Sequence, residues 1–228
     1  MRVAIAQILL AVLLSTSSQA QTSNIFSMVS PKLRQFLTAH PEASLAMSNV
    51  LSEAFPNRTV QLFYFYSDDE STARASHYYP DESSVGIIIR ENQQPCDECM
   101  CLIYEMLNSE GEKRFLELTE QAKSGAVSKE GFVKGIMQQE FQADMKMQNL
   151  LRKFRFSEKE KAESYFYNRV IHEPSNFEES LSYAKKVSPK RDPIKYYEQE
   201  YDYLQKAASR SNNALEPTAT VPLVSTNK

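Results

Sequence analysis

No stretch of this 228-residue chain is apolar for long enough to cross a bilayer: the run from Val3 to Leu14, interrupted by Gln7, falls short of the ~18 residues a spanning helix needs. Basic clusters are also scarce. Nothing denser than Lys185-Lys186 or Lys190-Arg191 occurs, and 26 basic residues face 29 acidic ones, so the electrostatic footprint of nucleic-acid binding is missing. Cysteine is confined to Cys96, Cys99 and Cys101, which cannot staple the fold as a whole. Histidine is confined to His40, His77 and His172, too far apart for any two to show ligand spacing. His40 is expected to start a helix, and the other two to lie at the surface. A Gly-rich phosphate loop, a Gly-x-Ser-x-Gly elbow and an internal repeat are all missing. Met100 after Cys99, where haem attachment requires His, excludes a c-type haem.

What is present begins with Arg2, the apolar run, and then Ser15-Thr16-Ser17-Ser18-Gln19-Ala20, the layout of a cleavable secretory signal over residues 1–20. No cysteine follows the run, which argues against a lipoprotein anchor. The mature chain is expected to be exported, periplasmic or extracellular. It carries no membrane span, and its charge is one unit more negative than the −3 of the whole chain because Arg2 leaves with the signal. Asn57-Arg58-Thr59 is a glycosylation sequon that matters only in a eukaryotic secretory route.

The remainder reads as a single α+β, mainly helical domain over 21–209, long enough to bury a real core. Ser30-Pro31 and His40-Pro41 place proline in first helical turns and predict helices at about 31–39 and 41–54. Residues 59–66 and 84–90 are β-branched, aromatic or continuously apolar and predict two strands, with a loop from Ser67 to Arg74. Helices follow at about 96–109, 112–124 and 129–153, the last capped by Ser128 after a turn at Gly125. Ser157 with Glu160 and Ser175 with Glu178 have capping-box spacing and open two more, among C-terminal helices over about 157–209. Asp192-Pro193 opens the final one. Residues 210–228, with two prolines and no helical period, are expected to form a disordered tail.

On the 96–109 helix, Cys99, Leu102, Ile103, Met106 and Leu107 share one face, while Asp97, Glu98, Cys101, Tyr104, Glu105 and Asn108 share the other. The polar face holds carboxylates, a thiol, a phenol and an amide rather than the Lys/Glu mixture of a solvated surface. Tyr104-Glu105-Met106-Leu107-Asn108 resembles the active-site helix of the zincin metallopeptidases, whose pattern is His-Glu-x-x-His. There the i and i+4 histidines, ~5–6 Å apart at Cβ on one helix face, grip one zinc, and the glutamate between them activates the metal-bound water. In the glutamate-ligand (gluzincin-like) branch a later helix supplies the third ligand, and Gln139-Glu140-Phe141-Gln142-Ala143-Asp144 is similar to that segment. The apolar strand at 84–90 is similar to the family's edge strand. The resemblance spans about residues 59–153.

It implies that Glu105 is a vestigial general base, and that Tyr104, Asn108 and Glu140 stand at metal-ligand positions. Neither a phenol nor an amide is a usual zinc ligand, and Glu105 and Glu140 alone would hold zinc poorly. The implied protein is a catalytically inactive metallopeptidase relative, a pseudoenzyme with no cofactor expected. Its partner would be a peptide, held in a cleft between the 96–109 and 129–153 helices.

Two further readings stand beside this one. The first is an exported helical protein-interaction module with no inherited active site, using the tyrosines Tyr165, Tyr167, Tyr183, Tyr196, Tyr197, Tyr201 and Tyr203 as a partner surface. The second is thiol redox or metal handling by Cys96, Cys99 and Cys101. A helix dipole would favour a thiolate there and the adjacent Asp97 and Glu98 would oppose it. An incidental disulfide or buried free thiols explain the same cluster without any activity.

Overall fold

Proline fixes where the first helices begin, because its missing N–H is no loss in a first turn. In the computed structural model, residues 25–66, 75–81, 83–187 and 192–213 are described, with side chains as far as 210. The expected signal at 1–20, the loop from Ser67 to Arg74 and residues 214–228 of the expected tail lie outside the described residues. Ser30 caps α1 (Pro31–Ala39), its Oγ accepting the Leu33 N–H at 3.1 Å. α2 (Pro41–Ala54) follows at once from His40, which makes no side-chain cap and instead bonds Glu160 at 2.8 Å.

The sheet has three strands in the order β1-β3-β2, with β1 (Thr59–Phe65) parallel and β2 (Ala75–Asp81) antiparallel to β3 (Ser84–Arg90). β3 is central, with Val85, Ile87 and Ile89 fully buried, as its unbroken apolar run requires. A Cβ on Gly86 would lie 2.2 Å from Cε1 of Tyr78, so glycine lets that ring lie flat on the middle strand. β2 was not expected from the sequence. Pro80 and a register irregularity between Tyr78 and Asp81 interrupt its pattern, and an edge strand tolerates both.

α3 (Pro95–Ser109) is the axis of the molecule: every residue from Cys96 to Ser109 is buried, the polar face included. It packs on α1, α2, β2, β3, α5 (Lys129–Leu151) and α7 (Tyr165–Ile171). The main core gathers Leu33, Met47, Leu51, Ile87, Leu102 and Met106 around it. Each such side chain contributes about 1.5–3 kcal/mol by leaving water.

A second core lies between α4 (Glu112–Ser124), α5 and α9 (Pro193–Asn213), built on Leu118, Phe132, Ile136 and Leu204. Leu118 packs so closely on α5 that a Cβ at Gly135 would come within 2.8 Å of it. Gly125, at φ 74°, ends α4 in the left-handed conformation that glycine adopts without strain. Ser128 caps α5 as expected, and α5 ends at Leu151 rather than 153.

Ser157 and Glu160 form a reciprocal capping box at α6 (Glu158–Glu163). The helix expected there is divided, because Ser164 ends α6 and caps α7 by accepting the Tyr167 N–H. At α8 (Phe177–Val187) the capping acceptor is Asn176 rather than Ser175: its Oδ1 takes the Glu178 and Glu179 N–H groups at 2.9 and 3.2 Å. α9 runs to Asn213, so residues 210–213 are helical and not part of a disordered tail. No helix among the described residues is long and apolar enough to cross a membrane.

Candidate functional site

The polar residues of α3 fall into two sets that do different things. Near its start, Asp97 Oδ1 accepts the Ser164 hydroxyl at 2.5 Å and the Phe166 N–H at 3.0 Å, fastening the start of α7. Glu98 accepts Ser30 Oγ at 2.9 Å and the Tyr64 hydroxyl at 2.6 Å, and the same Tyr64 oxygen takes the Ser30 N–H. Burial and the Glu98 charge push the Tyr64 phenol up, so it stays a donor. Asp97 and Glu98 are therefore anchors joining α3 to the first helix, the sheet and α7.

One to three turns later lies the second set, which contains the residues singled out in the sequence. Glu105 Oε2 is 2.7 Å from His77 Nδ1, with both side chains about nine-tenths buried. His77 is thus not the surface residue expected; it reaches inward from β2 and packs against Tyr79 and Phe115. His172 is exposed, as expected.

Glu140, from α5, accepts the Tyr197 hydroxyl of α9. Burial pushes its carboxyl up to about 7. The charges of Asp144 and Glu105 push the same way, while the Tyr197 hydrogen bond and Arg169 oppose. As a whole residue Glu140 is only partly buried, but an interior carboxyl on a partly exposed stem accounts for both observations.

Asp144, one turn on from Glu140, takes a two-pronged bond from Arg169 of α7, at 3.0 and 2.5 Å. Burial raises the Asp144 carboxyl and the Arg169 charge draws it down. The guanidinium lies 5.5 Å from the Tyr104 ring centroid and 5.1 Å from that of Phe166. Tyr104 is held in its neutral form by burial, then by the charges of Asp144 and Glu140. Asn108 is buried one turn further along, and its Oδ1 has no hydrogen-bond partner among the described residues.

Tyr104 and Glu105 lie on α3 and Glu140 on α5, which packs against it, and the Glu105 charge raises both the Glu140 carboxyl and the Tyr104 phenol. Glu105 and Asn108 are both buried, and α3 packs on α5.

These residues do not fit zinc. Tyr104 is a neutral phenol, Asn108 offers only an amide, Glu105 is engaged by His77 and Glu140 by Tyr197. Among the described residues no three of His, Cys, Asp or Glu are grouped so that they could hold a metal ion.

Cys96, Cys99 and Cys101 are all buried, and none is joined in a disulfide among the described residues. Burial, then the Asp97 and Glu160 charges, pushes the Cys96 thiol up to about 12, and the fully buried Cys99 is raised as well. Cys101 points its Sγ at Gln93 Oε1, 3.6 Å away.

That His77, Arg169 and Tyr197 partner these acids was not identified from the sequence, which placed His77 at the surface and Tyr197 in a candidate partner surface. The alternation of His77 with Tyr79 along β2 was the one available signal, and Pro80 obscured it. No family model matches the chain, and neither a curated protein nor a solved structure matches it.

Proposed function

We propose that the chain is an exported zincin-like protein that has lost peptidase chemistry and binds peptide. The observation that supports this reading is the placement of Tyr104 and Glu105 on one buried helix and of Glu140 on the helix packed against it, with the charges of both acids acting on the Tyr104 phenol. That is where the resemblance puts a general base, a third ligand and a first ligand. In the proposal the charges that once faced a metal are taken up by protein donors: His77 on Glu105, Tyr197 on Glu140 and Arg169 on Asp144. The proposal places the peptide along β2, an edge strand of the described sheet.

The test is metal content. The unmodified protein should carry no stoichiometric zinc and hydrolyse no peptide. Tyr104→His with Asn108→His restores both imidazole positions, and His77→Phe frees Glu105 to act as base. This triple variant should bind one zinc per chain, and adding Glu140→Ala should abolish the gain. Zinc in the unmodified protein would contradict the loss of the site, and a folded triple variant without zinc would remove the case for ancestry.

A second reading, a helical interaction module, is favoured by the exposure of Tyr196 and Tyr203 on α9, at 47% and 71%. Under it, Tyr196→Ser with Tyr203→Ser weakens partner capture without altering stability, whereas under the first reading β2 substitutions do so.

A further inference from the structure

We propose that Glu173 is a proton-operated latch that holds α8 against α5 and α7 and releases it as the pH rises. The inference is independent of the zincin-like reading. Glu173 lies in the turn between α7 and α8 and is 5% exposed. Its Oε1 accepts the Ser180 hydroxyl of α8. Its backbone carbonyl takes Gln148 Nε2 of α5 at 3.0 Å, and the same amide nitrogen reaches the carbonyls of Val170 and Ile171 at 3.2 Å. α8 is also fastened by the Tyr183 hydroxyl, which donates to the Arg169 carbonyl at 2.9 Å, and by an exposed ion pair between Glu178 and Lys134 of α5 at 2.6 Å.

Glu173 Oε2 is buried and has no hydrogen-bond partner among the described residues. A neutral carboxyl tolerates that position, but a carboxylate there is a buried charge with one oxygen unserved. Its surroundings give little relief. Asp144 faces it from α5 with like charge, and Arg169, from α7, has its guanidinium committed to Asp144 in a two-pronged bond. From α8, Ser180 and Tyr183 offer hydroxyls only, and Tyr104 of α3 faces the Arg169–Asp144 pair as a neutral phenol. On α9, which also packs on α8, Tyr197 is engaged with Glu140, and Glu200 is itself raised by burial. Burial, then Asp144, pushes the Glu173 carboxyl up to about 7 against the opposing pull of Ser180 and Arg169.

Opening α8 returns that carboxyl to water, where it ionises near its ordinary value of 4.5. The closed form therefore binds more protons than the open one between about pH 4.5 and 7, and its advantage is lost across that window by up to about tenfold per pH unit. Release uncovers apolar surface, because Phe177, Leu181 and Ala184 of α8 pack on the second core beside Val133, Ile136 and Met137. The latch thus sets whether that face of α5 is covered.

Amide hydrogen exchange on the purified protein, corrected for the intrinsic pH dependence, tests this. Protection across 177–187 should fall by about tenfold or more from pH 5 to pH 8. Glu173→Gln keeps an acceptor for Ser180 without a charge, and should hold the protection level across the range. Ser180→Ala should lower protection already at pH 5. A wild-type protein with pH-independent protection, or a Glu173→Gln variant with an undiminished fall, overturns the latch. Should Glu173→Gln not fold, the Glu173 carboxyl carbon resonance in the wild type decides: a midpoint near 7 supports the proposal, and one near 4.5 overturns it.

Discussion

His77 Nδ1 and Glu105 Oε2, 2.7 Å apart, join an edge strand to the central helix across 28 residues of sequence. Removing the imidazole by His77→Ala leaves the Glu105 carboxylate buried without that partner. The cost should be about 1–3 kcal/mol, the desolvation penalty of an unserved polar group. Urea denaturation at pH 7 reads it directly. A loss below about 0.5 kcal/mol, within the usual range for surface substitutions, would mean that Glu105 finds water or another donor.

Asp144→Asn strips the charge from the partner of a buried guanidinium and should destabilise by about 3–5 kcal/mol, the range for breaking one side of a buried ion pair. Asp144→Leu combined with Arg169→Met removes both charges and should recover most of that loss, because neither ion then has to be desolvated. A double-mutant cycle on the wild type, Asp144→Leu, Arg169→Met and their combination measures the coupling; additive losses would show that the pair contributes nothing specific.

Glu140 gives a pH-dependent prediction whose sign follows from its raised carboxyl. The stability it contributes is fully present below about pH 4.5, where folded and unfolded chains both carry the proton, and is lost as the pH rises to about 7. Glu140→Gln keeps an acceptor for Tyr197 and does not titrate. Relative to wild type it should therefore gain stability between pH 5 and pH 8, by up to about 3 kcal/mol. Urea melts at the two pH values check this, and a constant difference would show that Glu140 is ionised in the fold without strain.

The three thiols should be slow to react while the protein is folded, since burial disfavours the reactive thiolate of Cys96 and Cys99. Alkylation at pH 8 should be at least about a hundredfold slower in buffer than in denaturant, where all three react. Rapid labelling of Cys96 in the native state, or a chain with fewer than three titratable thiols once unfolded, would restore a redox role.

Helix starts were the most legible part of the fold. Pro31, Pro41, Ser128 and the Ser157–Glu160 box each carry a local physical reason that the three-dimensional context does not override. β2 was missed because its pairing comes from β3, not from its own composition. Ser164 divided a helix because Asp97, 67 residues earlier, recruits its hydroxyl.

In the candidate site, Tyr104, Glu105 and Asn108 were legible from helical spacing, and Glu140 from the resemblance. Their partners were not. His77, Tyr197 and Arg169 arrive from separate elements, and whether a polar helix face meets solvent or another helix depends on what packs there. Periodicity reports that a face is polar, not that it is exposed.

The burial of α3 on all sides has a consequence for the order in which the chain can fold. Its first turn needs Ser30 and Tyr64, already synthesised, for Glu98, but also Ser164 and Phe166, which follow some 70 residues later, for Asp97. A chain emerging from its amino terminus thus holds the central helix with one acid served and the other waiting, and the loop that closes the structure is long. Non-local closure of this kind slows folding and leaves the apolar side of α3 open to other chains until α7 arrives. Truncation before residue 164 should yield an aggregating product rather than a smaller folded domain.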